Sequence, residues 1–321
     1  MKNKNGVMSV KAIIEKITEQ IQEGIYPGAS LAPLYRDGQW SEHYLGLADP
    51  EKGEPVVADL VYDLASVSKV VGVATICAFL YAKGELALDR PFKELYPRFA
   101  HEKTTIRELL THTSGLDPFI PNRDQLDARQ LKTALENLQL KEDKSFHYTD
   151  VNFLLLGFWL EDRFRQPLDR LFEELIFTPW KMTETRFGPV EKAVPTVRGV
   201  ASGSVHDPKA RVLGPHAGSA GLFSTVADLE RFLERYLKED FARDLSQNFA
   251  REEGKTRALG WNLEGDWLDH TGYTGTFIMY NRKRQEAVIF LSNRTYEKDE
   301  RAQWILDRNS LMDLIKQEFE K

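Results

Sequence analysis

Ser66-Val67-Ser68-Lys69-Val70-Val71-Gly72-Val73-Ala74-Thr75-Ile76-Cys77-Ala78-Phe79-Leu80-Tyr81-Ala82-Lys83-Gly84 decides the reading of this chain. From Val70 to Ala82 the segment is apolar on nearly every side. That pattern belongs to a helix buried all round, not to one lying on a surface. Gly84 stands where a C-terminal cap belongs. The apolar run is too short to span a bilayer, so it reads as the central core helix of a globular fold. At its start, Ser66 and Lys69 are three residues apart and share a helix face, so the amine can reach the hydroxyl. The positive end of the helix dipole favours charge developing there. The Ser66 N–H can serve an oxyanion hole. The chain has 14 serines, so about one Ser-x-x-Lys arises by chance at ordinary lysine usage. The motif therefore needs its surroundings.

Outward from this helix, the texture is β-rich at both ends and helical in the middle. Upstream, Ile13, Ile14, Ile17 and Ile21 recur at helical spacing. Gly28–Tyr35 and Gln39–Leu47 then read as strands joined by Arg36-Asp37-Gly38, a hairpin signal. Val56–Leu64 reads as a further extended stretch. Downstream, helices are predicted at 105–111, 128–138, 150–165 and 168–176. A glycine-rich loop from Ala217 leads into another helix capped by Ser224 or Thr225. Strands return at 259–263, 267–270, 276–280 and 286–292, and a last helix covers 300–319. The fold class is α+β. One central antiparallel sheet is built from both ends and flanked by the N- and C-terminal helices. A mainly helical lobe is inserted into it. The expected division is a discontinuous sheet domain, 1–75 and 217–321, and a helical domain, 76–216, with the active site between them.

Length and composition exclude several functions. The 321 residues can bury a core without staples. The net charge of −6 argues against a nucleic-acid partner. Cys77 is the single cysteine, so neither an internal disulfide nor a two-thiolate site exists. The seven histidines show no metal spacing, so no metal and no cofactor is expected. Lys11, Glu15, Lys16 and Glu19 interrupt what would be the apolar core of a signal peptide. The expectation is a cytoplasmic protein with no membrane partner, acting on a small molecule; its oligomeric state stays open.

Four further segments give Ser66 and Lys69 a context. Phe146-His147-Tyr148-Thr149-Asp150-Val151-Asn152 places a tyrosine just ahead of a helix, with Asp150 as candidate cap. Asp269-His270-Thr271-Gly272-Tyr273 sits on a strand where small residues let a substrate approach the backbone. Leu109-Leu110-Thr111-His112-Thr113-Ser114-Gly115 and His216-Ala217-Gly218-Ser219-Ala220-Gly221 supply two glycine-bearing loops. In this order and spacing the segments resemble the serine β-lactamase and penicillin-binding-protein superfamily, whose Ser-x-x-Lys signature is well defined. The resemblance is to the branch of class C β-lactamases, D-alanyl-D-alanine carboxypeptidases and related esterases and D-aminopeptidases. It runs from about Gly28 to Asn293.

The resemblance implies a set of roles. Ser66 would be the acylated nucleophile. Lys69 would accept its proton, or would keep Tyr148 anionic. Tyr148 would pass the proton to the leaving group and later activate water. The N–H groups of Ser66 and Tyr273 would form the oxyanion hole, while His270, Thr271 and Gly272 would line the substrate strand. Two positions depart from the family. Asp150 stands where an asparagine is usual, and a carboxylate accepts hydrogen bonds but cannot donate to a substrate carbonyl. His270 stands where a lysine is usual, exchanging a fixed charge for one expected to titrate near neutrality. Both changes predict a hydrolase of esters or small amides rather than an efficient β-lactamase or D-Ala-D-Ala carboxypeptidase. A catalytically silent binding protein on the same fold is the alternative of a different class. His112 reads as a loop histidine holding its turn, and Cys77 as plain core.

Overall fold

The structure is a computed structural model, and it describes residues 10–35, 38–251 and 255–321. A seven-stranded antiparallel sheet runs in the order β3-β2-β1-β10-β9-β8-β7. Its strands are β1 (Gly28–Leu34), β2 (His43–Asp49), β3 (Glu54–Pro55), β7 (Asn262–Glu264), β8 (Trp267–Thr271), β9 (Phe277–Asn281) and β10 (Glu286–Ser292). The two ends of the chain meet where β1 pairs with β10, from Ala29 opposite Ser292 to Leu34 opposite Ala287. β1, β9 and β10 are buried on both faces. That is why they read as near-continuous apolar runs instead of alternating.

The helices Lys11–Gln22 and Arg301–Glu320 cover one face of the sheet. Ile13 and Ile17 meet Leu31, Phe277, Val288 and Phe290 there, along with Trp304, Leu311, Ile315 and Phe319. A larger core fills the other side around the central helix and the helical region. This is the sheet predicted from both ends with its flanking helices. The turn residues Arg36 and Asp37 lie outside the described residues.

The central helix is built in three pieces. A 3-10 turn covers Ala65–Val67, a π turn Val70–Ala74, and regular α-helix Thr75–Ala82. A π turn widens the helix by one residue and is characteristic of functional sites. From Ala65 to Ala82 the helix is apolar and long enough by composition to cross a bilayer, and most of it is buried inside the fold. The shorter run counted from Val70 understated this length. Gly72 has no room for a side chain, because a Cβ would lie 2.4 Å from the Phe172 ring.

The structure corrects several boundaries. The extended stretch expected at Val56–Leu64 holds only the two-residue strand β4 (Tyr62–Asp63). β4 belongs to a second, three-stranded sheet with β5 (Arg186–Phe187) and β6 (Leu222–Ser224). Strands of two or three residues carry no period for a sequence to display. The strand expected at 259–263 begins at Asn262. Thr225, not Ser224, caps the helix Val226–Lys238 by accepting from the Asp228 N–H.

Candidate active site

Ser66 is positioned by backbone geometry. Ala65, just before it, has φ +45°, in the left-handed region that a residue with a Cβ avoids. Asp63 holds this turn, accepting from the Ala65 N–H at 2.8 Å with one carboxylate oxygen and from the His206 N–H at 2.8 Å with the other. Burial pushes the Asp63 carboxyl up to about 6, although the two N–H donors pull the other way. Thr274 donates to the Asp63 carbonyl at 2.8 Å and Thr276 to the Leu64 carbonyl at 3.2 Å. These two bonds bind the segment after β8 to the start of the central helix.

Gly272 sits in this seam. A Cβ there would lie 2.1 Å from Thr276 Oγ1 and 2.6 Å from the Leu64 carbonyl oxygen. Gly272→Ala must therefore push the strand away from the Ser66 turn. Displacement of about 1 Å in a site can cost roughly 100-fold. The expected result is a kcat/KM reduced at least about tenfold, read beside the melting temperature; an unchanged kcat/KM would refute this seam.

Lys69 is the hub. Its side chain is wholly buried. It donates to Ser66 Oγ at 2.9 Å, to Asp150 Oδ1 at 2.7 Å and to the Ser219 carbonyl at 2.9 Å. Burial would lower the lysine pKa, but the charge of Asp150 and the nearby Tyr148 outweigh it, and the net shift is upward. Asp150 shifts the other way. Burial would raise its carboxyl, yet the ammonium groups of Lys69 and Lys209 hold it below the usual carboxylate range. Asp150 begins the helix Val151–Phe164 without capping it through its side chain. The cap expected there gives way to two lysines, because a carboxylate facing two cations gains more from them than from one N–H.

Tyr148 is half exposed and lines the same cleft as Ser66. Lys69 Nζ lies 5.2 Å from its ring centroid, and the His112 ring is 4.6 Å away. His112 adopts φ +58° at the end of the helix Ile106–Thr111. Its Nδ1 accepts from the Thr149 N–H at 3.3 Å. It holds its turn as expected, and it also supports the tyrosine. Burial keeps it neutral.

Ser66, Tyr148 and Tyr273 are shared by two hollows, of about 220 and 480 Å³. Ser66 and Tyr273, the two residues whose N–H groups are expected to receive the oxyanion, thus border the same space. Thr271 Oγ1 accepts from Arg308 at 3.1 Å. His270 corrects an expectation. It is buried, and desolvation, with the charges of Lys69 and Arg257, holds its pKa well below the usual value. Burial therefore favours its uncharged form over the titrating one expected.

The missing charge comes from elsewhere. Lys255, Arg301 and Arg308 line the smaller hollow, and among the described residues none of the three forms an ion pair. Sequence reasoning missed them, and Lys209 as well. The only signal was the spacing of Arg301 and Arg308, seven apart and so on one face of the last helix. No group of side chains able to hold a metal ion exists among the described residues.

A buried lysine on a serine at a helix start, beside a tyrosine on the cleft wall, defines a serine hydrolase. The chain belongs to the β-lactamase family, whose family model matches residues 13–311. It is 27% identical to the Escherichia coli (strain K12) protein named "Putative D-alanyl-D-alanine carboxypeptidase", over 87% of this chain and 81% of that one. Solved structures share the fold. The β-lactamase/D-alanine carboxypeptidase of Pseudomonas syringae superposes with a TM-score of 0.73 at 19% identity, covering 93% of this chain and 97% of that one. EstCE1, a hydrolase with promiscuous acyltransferase activity, gives a TM-score of 0.75 at 19% identity, covering 94% and 97%.

Proposed function

We propose that this enzyme hydrolyses esters and small amides of D-amino-acid type through an acyl-enzyme on Ser66. The observation that carries the reading is the chain from Ser66 through Lys69 to Asp150, with bonds of 2.9 and 2.7 Å. Lys69, held as an ammonium by Asp150, is a poor proton acceptor. Its charge instead stabilises the negative charge that develops beside it as the serine proton moves. Tyr148 takes the Ser66 proton as Oγ attacks the substrate carbonyl, and the Ser66 and Tyr273 N–H groups receive the oxyanion. Tyr148 then gives the proton to the leaving group. A water enters, Tyr148 accepts its proton, and the acid departs as Ser66 recovers its hydrogen. Asp150, His270, Thr271 and Gly272 line the substrate's path. Esters need less help at the leaving group than amides, which suits a site without the family's asparagine and lysine.

A second reading, hydrolysis of carboxylate-bearing lactams or D-Ala-D-Ala peptides, is supported by Lys255, Arg301 and Arg308. They supply the positive charge that neutral His270 lacks. The comparison is kcat/KM for a nitrophenyl ester against a chromogenic cephalosporin, in the wild type and in Arg308→Met. We expect the wild type to favour the ester. Arg308→Met should lower the cephalosporin value about tenfold to a hundredfold relative to the ester, the size of a lost charge-assisted hydrogen bond. A wild type that strongly prefers the cephalosporin would overturn the ester reading. An unchanged ratio in the variant would remove Arg308 from substrate binding.

A further inference from the structure

Asp150 divides its two oxygens between two lysines. Oδ1 takes Lys69 at 2.7 Å and Oδ2 takes Lys209 at 3.1 Å. Lys209 comes from a different part of the chain, the helix Pro208–Leu213, and its side chain is 14% exposed. It lines the larger hollow together with Ser66, Tyr148 and Asp150. A single carboxylate facing one buried ammonium would make a private ion pair. Here the same carboxylate faces two ammonium groups, so its single negative charge is divided between them.

We propose that Lys209 is a positioning residue which, by sharing Asp150 with Lys69, sets the pH at which Ser66 becomes reactive. This rests on the acyl-enzyme reading above. The sign does not depend on which group finally takes the proton. Removing the Lys209 cation leaves Asp150 entirely to Lys69 and removes a like charge, so Lys69 holds its proton more firmly. The loss of a nearby cation also makes any anion formed in this cleft during proton transfer less stable. Both effects move reactivity to higher pH.

The other charged and titratable groups facing this cluster are fixed by their own elements. His112, at the end of the helix Ile106–Thr111, and His270 on β8 are both held neutral by burial. Arg257 sits over the Phe146 ring, 5.3 Å from its centroid, and donates to the Gly260 carbonyl at 3.1 Å. On the helix that carries Lys209, Asp207 is occupied by the Ala210 N–H at 2.8 Å, and Arg211 follows two residues after Lys209. Across the hollow, Arg123 pairs with Asp124 at 2.7 Å. At the rim, Asp299 pairs with Arg294 at 2.6 Å, beside Arg301, and burial lowers the pKa of His206 there. Among these described residues, Lys209 is the cation in ion-pair contact with the carboxylate that holds Lys69.

The test follows the rate of Ser66 labelling by a fluorophosphonate from pH 5 to 10, with kcat/KM for a nitrophenyl acetate over the same range. Wild type, Lys209→Met, Lys209→Gln and Lys209→Arg are compared, with melting temperatures alongside. Lys209→Gln serves where the methionine variant fails to fold. The neutral variants should raise the acidic limb by about one pH unit, the size expected for one neighbouring charge at partial burial. Lys209→Arg should restore the wild-type limb, which a merely structural role would not require. An acidic limb that stays in place, or moves down, in a folded neutral variant overturns the proposal while leaving Ser66 as nucleophile. A wild-type protein that Ser66-directed reagents never label overturns the serine reading and this inference with it.

Discussion

Ser66→Ala should abolish both the covalent adduct and turnover, by roughly 10⁴–10⁶ in rate, because members of a nucleophile–base unit do not substitute for one another. Intact mass after exposure to a fluorophosphonate reads the adduct, and peptide mapping places it. The neighbouring serines are occupied differently. Ser68 Oγ is buried and accepts from the Leu222 N–H at 3.1 Å. Ser114 donates to Asn152 at 2.7 Å. The Ser219 side chain is buried, while its carbonyl holds Lys69. Ser66 alone among these four lines the cleft and receives the lysine amine. The alanine variant should keep its fold, since Lys69 retains Asp150 and the Ser219 carbonyl. An adduct that persists in Ser66→Ala, or maps to another serine, would overturn the assignment, and a wild type that takes no adduct would revive the silent-protein alternative.

The parts of this site that were legible in the sequence are those set by local spacing. Ser66 and Lys69 meet because they lie three apart at a helix start. The sheet built from both ends was legible because β1, β9 and β10 are long, apolar runs. Other features depend on what the fold brings near. In sequence Asp150 reads as a site residue able to hold Lys69, with a helix cap as the competing reading. The Lys69 ammonium at 2.7 Å and the arrival of Lys209, 59 residues later, decide between them. His270 was expected to titrate because its ordinary pKa is near neutrality; its burial beside Lys69 and Arg257 removes that behaviour. Arg308 reaches Thr271 only after the last helix has packed on the sheet. Charge state and charge supply are tertiary properties, and no motif carries them.

Tyr148→Phe should lower kcat/KM by about 10²–10⁴, the range for a positioned acid–base group. The choice of residue matters. Lys69 is wholly buried and is the principal partner of Asp150, so Lys69→Met would mix lost chemistry with the cost of a partly buried, poorly paired carboxylate. Tyr148 offers a cleaner cut. Its ring rests on His112 and faces Lys69, and phenylalanine keeps both contacts. Only the hydroxyl goes, from a half-exposed side chain, so the melting temperature should scarcely move. Single-turnover measurements separate the steps. Both acylation of Ser66 and release of the acyl group should slow, because the same oxygen handles the serine proton first and the water proton second. Slowing of deacylation alone would mean that another group accepts the serine proton. Wild-type turnover in Tyr148→Phe would leave Lys69 as the sole base, and a lysine held in its charged form by Asp150 cannot fill that role without first losing its proton.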